Sequence, residues 1–269
     1  MDWGKRVASI RQKVKEERPL IHHITNVVVT NLTANITLAM GAAPVMAYSL
    51  KEVADMVGLA QALVLNMGTP DDVLVEAMLL AGKTANKAGI PVIFDPVGAG
   101  ATPYRTEIAR EIVQELRIDI LRGNSSEIAS VGGLGGRTRG VDATEVSLEP
   151  AEMAPKVAQK LNTVVVVTGA TDYISDGQRL LAVDNGHQML SRVTGTGCSA
   201  TTVIAAFRAV EPDGVVASAA ALAYYGLAAE KAGKIAQGPG SFQEALWDML
   251  YNLEGEELAY GVRIRELRS

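Results

Sequence analysis

With 269 residues, 48% hydrophobic side chains and 4% aromatics, the chain has ample material for a core of aliphatic residues and alanine, as covered parallel strands usually are. The net charge is −5 with no concentrated Lys/Arg run, which excludes the basic face that nucleic-acid binding requires. A lone cysteine excludes an internal disulfide and fits a reducing compartment. Residues 1–20 are charged and lack the apolar region of a signal peptide. No apolar run reaches the roughly 18 uncharged residues of a membrane span, so a soluble, cytoplasmic protein is expected.

From residue 20 onward, short β-branched runs alternate with helical patterns, which indicates a parallel sheet with crossover helices. A helix is predicted over 4–17, then strands over 20–25, 44–47, 62–66 and 91–95 with helices over 27–40, 50–60 and 71–88 between them. A helix over 104–116, a strand over 119–122, helices over 125–131 and 150–161 and a strand over 163–168 follow. The last strand is an unbroken Val run without alternation, so both its faces should be covered. Residues 173–175 and 179–183, joined through Asp176-Gly177, read as an antiparallel hairpin on the sheet edge. Helices over 197–209, 214–232 and 241–253 close the chain. Asp71-Asp72 and Ser241 stand where N-caps belong, and Gly89 ends its helix. The glycine-rich stretch 132–137 reads as a mobile loop. With no repeat and no linker, residues 1–269 are expected to form a single α/β domain of three layers, helices covering both faces of a mainly parallel sheet.

Ligands of open α/β sheets gather outside the carboxyl ends of the strands, so the strand ends carry the functional reading. One strand ends in Asp95-Pro96-Val97-Gly98-Ala99-Gly100. Asp95 is read as a cap for the next turn or as an acid that orders Mg²⁺ or its waters, since Mg²⁺ favours one or two carboxylates plus phosphate oxygens. The next strand ends in Arg122-Gly123-Asn124 with Glu127 three residues on. That pair is either a reciprocal capping box or a second acid beside Asp95. Thr168-Gly169 is a plain turn or a phosphate contact. Gly195-Thr196-Gly197-Cys198 opens an Ala-rich helix, which places backbone N–H groups and a positive helix end at one point, a seat for phosphate. At such a position the thiol pKa is expected to fall. Asn26 ends the first strand, within hydrogen-bonding reach of a small substrate, and Met46 stands in an apolar wall. His22 and His23, adjacent on a strand, face opposite ways and do not make a metal site together.

Ile24-Thr25-Asn26, Pro44-Val45-Met46, Asp95 to Gly100, Arg122-Gly123-Asn124 with Glu127, Thr168-Gly169 and Gly195 to Cys198 occur in this order. Together they resemble the hydroxyethylthiazole kinases of thiamine salvage, in the ribokinase-like superfamily, from residue 20 to the Gly238-Pro239-Gly240 turn. The resemblance implies ATP-dependent phosphorylation of the primary alcohol of 4-methyl-5-(2-hydroxyethyl)thiazole with Mg²⁺, in a homotrimer with sites at the subunit interfaces. It implies further that Asn26, Met46 and Gly195 line the thiazole pocket, that Arg122, Thr168 and Asn124 contact ATP, and that Asp95 and Glu127 serve Mg²⁺. Gly195, Gly197 and Cys198 would be catalytic, Cys198 standing where most ribokinase-like kinases carry an aspartate base.

Other readings are weaker. Hydroxymethylpyrimidine and pyridoxal kinases, and the ATP-dependent dehydratase of nicotinamide nucleotide hydrates, share the superfamily, but the cysteine and the early Ile-Thr-Asn segment favour the thiazole kinase. Gly195-x-Gly197-x-x-Ala200 fits a relaxed dinucleotide fingerprint, yet Asp213 falls in a turn between two helices rather than at a strand end. A covalent thiol enzyme would require a base beside Cys198, and no sequence pattern supplies one.

Overall fold

The computed structural model describes residues 2–134 and 148–267, with the backbone of two short strands at 137–139 and 142–145. The first half runs α1 (Trp3–Glu17), β1 (Leu20–Ile24), α2 (Thr30–Ala39), β2 (Ala43–Val45), α3 (Val53–Val57), β3 (Ala62–Asn66), α4 (Asp72–Ala88), β4 (Val92–Asp95) and α5 (Pro103–Glu115). It continues through β5 (Ile120–Asn124), α6 (Ser125–Gly132), β6 (Arg137–Arg139), β7 (Asp142–Glu145), α7 (Pro150–Leu161), β8 (Val164–Thr168), β9 (Asp172–Ser175) and β10 (Leu180–Val183). Then come α8 (Thr196–Val210), α9 (Gly214–Ile235), α10 (Pro239–Asn252), α11 (Gly255–Gly261) and β11 (Ile264–Leu267).

The main sheet has nine strands in the order β11-β10-β9-β8-β5-β4-β3-β1-β2. All neighbours from β2 to β8 are parallel, and the pairings from β8 out to β11 are antiparallel. Alternate residues of each strand feed two separate cores. Val64 of β3 packs with α1, α2 and α8 to α11, whereas Leu63 and Leu65 pack with α3 to α7. Burial on both faces explains why the strands read as continuous aliphatic runs.

All six predicted parallel strands are present. Three details differ from expectation. The hairpin β9–β10 is not the edge of the sheet, because β11 pairs with β10 and covers its backbone groups. Helix α2 starts at Thr30 because Asn26 folds the preceding residues into a turn, its Oδ1 accepting from the Val28 N–H at 3.1 Å. Ser241 does not cap α10 from outside; Pro239 opens the helix, and Ser241 Oγ accepts from the N–H groups of Gln237 and Gly238. Asp71 does cap α4, accepting from the Leu74 N–H at 2.8 Å, and Gly89 ends it at φ 72°. Of the stretch read as a mobile loop, Gly132 closes α6 and Gly133 adopts the left-handed cap. Residues 135–136 lie outside the described residues, as do the side chains of Arg137 and Arg139.

Candidate active site

Four strand ends lie side by side along one rim of the sheet. Asn66 of β3 is in register with Asp95 of β4, and Asn124 of β5 with Thr168 of β8. Asp95 is fully buried. Its Oδ2 accepts from Asn66 Nδ2 at 3.0 Å and from the Thr201 hydroxyl of α8 at 2.8 Å, and Arg122 Nη1 stands 3.5 Å away. Among the described residues its Oδ1 has no hydrogen-bond partner. One oxygen is thus saturated while the other is bare. Burial raises the Asp95 pKa from its ordinary value, opposed chiefly by the Arg122 charge.

Glu127 makes the reciprocal cap that its spacing allowed. It forms the capping box with Asn124, Oε2 accepting from the Asn124 N–H at 2.9 Å and Asn124 Oδ1 from the Glu127 N–H at 2.9 Å. Its Oε1 takes the Gly98 N–H at 2.8 Å, which ties the glycine turn after β4 to the start of α6. The same residue therefore also lies beside Asp95. Burial, then the Asp95 charge, push its pKa up to about 7.

Helix α8 starts with Gly195 at φ 83°, a left-handed conformation that glycine adopts without penalty. The first N–H groups of a helix have no intrahelical acceptors, and here they open onto two cavities that share a wall. One, of about 520 Å³, is lined by Arg122, Thr168, Gly169, Asp172, His187 and Tyr225 among others. The second, of about 500 Å³, is lined by Asn26, Asp95, Asn124, Glu127, Gly195 and Cys198 among others. Arg122, Thr196 and Gly197 line both. Arg122 is held by Thr168, whose hydroxyl accepts from Nη2 at 2.7 Å, and its Nε–H is buried without an acceptor. A Cβ on Gly197 would stand 2.9 Å from Arg122 Nη1. The glycine is what lets the guanidinium lie against the helix mouth.

One expectation needs correction. The helix terminus does not lower the Cys198 thiol; burial, then the Asp95 charge, push it up to about 12. At neutral pH it is a thiol, not a thiolate. Met46 lines neither of these cavities. It lies instead in a smaller one, of about 220 Å³, with His23, Thr25, Tyr48 and Asp71. Asn124 lines the second cavity rather than sharing the first with Thr168. The two histidines do point apart, His22 Nε2 to the Ala47 carbonyl and His23 Nε2 to Thr37.

The sequence reading did not single out Asn66, Thr201 or Asp172. Asn66 could have been found, since it ends a predicted strand on the side where ligands gather. Thr201 is one hydroxyl among several in an Ala-rich helix, and nothing local marks it. Asp172 Oδ1 accepts from the Gly169 N–H at 3.0 Å, and burial raises its pKa to about 6. A raised carboxylate favours the folded state below its ordinary pKa of 3.8 and loses that contribution as pH rises through about 6. Asp172→Asn, which keeps the acceptor for Gly169, is therefore expected to be more stable than the parent above that range and equal to it in acid. Urea midpoints measured across pH check this; a variant less stable at neutral pH would show that the charge is compensated.

Two confluent cavities at the carboxyl rim of a parallel sheet, divided by a buried arginine and a helix mouth, place a site for two small ligands where open α/β sheets bind them. Pyridoxal kinase from Staphylococcus aureus shares the fold, with a TM-score of 0.62 at 14% identity over 93% of this chain and 98% of that one. The hydroxyethylthiazole kinase family matches residues 11–256. A hydroxyethylthiazole kinase from Moorella thermoacetica is 72% identical over 99% of this chain and 100% of its own. The solved hydroxyethylthiazole kinase from Pyrococcus horikoshii OT3 is 42% identical with a TM-score of 0.91, covering 98% of this chain and 100% of that one. The chain belongs to the hydroxyethylthiazole kinase family.

Proposed function

We propose that the protein transfers the γ-phosphoryl group of ATP to the primary hydroxyl of 4-methyl-5-(2-hydroxyethyl)thiazole, with the whole chain acting as one catalytic domain in the cytoplasm. The observation that supports this most is the meeting of the two cavities at Arg122 and the α8 mouth. ATP takes the cavity that holds Thr168, and the thiazole takes the one that holds Asn26, Gly195 and Cys198.

The alcohol oxygen attacks the γ-phosphorus in line, the bond from that phosphorus to the bridging oxygen breaks, ADP leaves with the electron pair, and the hydroxyl proton passes to an oxygen of the transferred phosphoryl group. The N–H groups of Gly195 to Cys198 face the charge that builds on the transferring phosphoryl, and Arg122, with its unsatisfied Nε–H, meets the same charge from the other side. Asn124 holds Glu127 in place through the capping box. The carboxylate set fits Mg²⁺. Among the described residues no group of three or more His, Cys, Asp or Glu could hold a metal, and Mg²⁺ takes one or two carboxylates and completes its shell with water and phosphate. Asp95, through its bare Oδ1, and Glu127, through water, are the residues that would hold it. When bound, the ion screens the charge between the triphosphate and the attacking oxygen.

Cys198, a thiol at neutral pH, orients the hydroxyl rather than removing its proton, and loose phosphoryl transfer demands little base assistance. Cys198→Ala is accordingly expected to slow single-turnover transfer by less than about tenfold. A dead variant would return the proton-acceptor role to the sulfur.

Met46 reaches the reaction only if a neighbouring subunit brings it there. Val27, Tyr48 and Val73, which line its cavity, are 79%, 56% and 58% exposed. Contiguous exposed apolar surface of this kind supports an interface between copies, here a trimer with Met46 facing the partner's thiazole cavity. Light scattering that returns a single-chain mass would exclude it. No described helix is long and apolar enough to cross a membrane, and recovery of the protein with the membrane fraction would exclude a cytoplasmic location.

Coupled ADP release tests the activity itself. Turnover is expected with the thiazole alcohol and ATP, and not with hydroxymethylpyrimidine or pyridoxal. Preference for either of those alcohols overturns the proposal.

A further inference from the structure

The hydrogen-bond polarity of the acceptor cavity is set by a residue that is not among those lining it. Asn66 is buried at the end of β3, and both ends of its amide meet groups whose roles are fixed. The Gly68 N–H, which only donates, lies 3.0 Å from Oδ1. The Asp95 carboxylate, an acceptor when ionised, lies 3.0 Å from Nδ2. Asn66 therefore has one orientation. Its Oδ1 in turn demands a donor from Asn26, whose Nδ2 stands 2.7 Å away. The Val28 N–H fixes the other end of Asn26 at 3.1 Å. Asn26 Nδ2 also lies 3.8 Å from Cys198 Sγ, which Asn66 contacts too, and sulfur is a weak acceptor. Asn26 and Cys198 both line the cavity of about 500 Å³.

We propose that Asn66 is a positioning residue for acceptor selectivity: it fixes Asn26 so that the cavity meets the substrate's hydroxyl oxygen with an N–H, selecting alcohols over analogues with an apolar group at that position. This rests on the thiazole-alcohol reading above and adds the residue that sets its selectivity. A hydroxyl oxygen accepts that N–H with one lone pair and keeps the other for attack. An alkyl group has no lone pair, and a buried N–H facing it loses water without gaining a partner.

Titration calorimetry on the whole protein, without nucleotide, tests this with two ligands, 4-methyl-5-(2-hydroxyethyl)thiazole and its 5-ethyl analogue. The parent protein is expected to prefer the alcohol by about tenfold. In Asn66→Ala the alcohol-to-ethyl ratio is expected to fall to about one, while ADP affinity in the adjoining cavity and the melting temperature report the integrity of the fold. A folded Asn66→Ala that keeps the full ratio overturns the inference. Asn26→Leu decides the matter even where Asn66→Ala does not fold. It is close in volume and has no N–H to offer, so the alcohol preference should be lost there too. Persistence of that preference in Asn26→Leu sinks the proposal. A parent protein that binds both compounds equally defeats this inference alone, whereas one that binds neither defeats the functional reading on which it rests.

Discussion

Asp95→Asn is expected to reduce the rate of phosphoryl transfer by about a hundredfold to a thousandfold, the loss typical when one preorganised charge-stabilising group is removed, roughly 2.7–4 kcal/mol. The substitution changes no volume. It acts because the two carboxylate oxygens do different work. Oδ2 is held by Asn66, Thr201 and the Arg122 guanidinium, all of them donors. An asparagine must turn its own oxygen to those donors, which leaves an NH₂ where Oδ1 was bare and buried. A buried acceptor becomes a donor, and of the two carboxylates proposed to order a cation only Glu127 remains. Single-turnover transfer, followed beside ADP binding, separates the two consequences. The chemical step should collapse while nucleotide still binds through Thr168 and the α8 mouth. Turnover within a few-fold of the parent protein would show that the bare oxygen is idle.

Much of this arrangement was legible before any coordinates, and the reasons are local. Asp95, Asn124 and Thr168 terminate strands whose aliphatic runs are unmistakable, so placing the strands placed the residues at the rim. Gly195 and Gly197 announce a helix mouth because backbone conformation at a turn is written in glycine. What was not legible depends on contacts across the chain. Thr201 reaches Asp95 over a separation of 106 positions, and only the packing of α8 against β4 brings them together. The rise of the Cys198 thiol has the same origin. Its place on a helix N-terminus argues for a lowered pKa, but burial and a neighbouring carboxylate outweigh the helix end. β11 escaped because Arg265 and Glu266 interrupt its apolar pattern. It is a strand because β10 offers an unpaired edge, not because its sequence insists. Met46 lines a cavity of its own, and a single chain does not bring it to Gly195.

Arg122→Gln is expected to lower stability by roughly 3–5 kcal/mol, the usual consequence of leaving one partner of a buried ion pair uncompensated. The guanidinium is 11% exposed and its partner Asp95 is not exposed at all, so water does not replace the lost charge. The Asp95 carboxyl, already raised by burial, loses the main influence that opposes this rise. Nucleotide affinity should fall too, because Thr168 loses its donor and the wall between the cavities loses its cation. Arg122→Lys should stand between the two, keeping the charge but not the planar fork that spans Asp95 and Thr168. The double variant Asp95→Asn with Arg122→Gln is the sharper experiment. If the charges stabilise the fold chiefly by cancelling one another, removing both should cost less stability than the sum of the single losses. Phosphoryl transfer should not recover with it, because neither the bare acceptor nor the cation at the helix mouth has been restored. Denaturant midpoints that add within about 0.5 kcal/mol would mean that Asp95 and Arg122 act on the fold independently, and the ion pair would lose its place at the centre of this site.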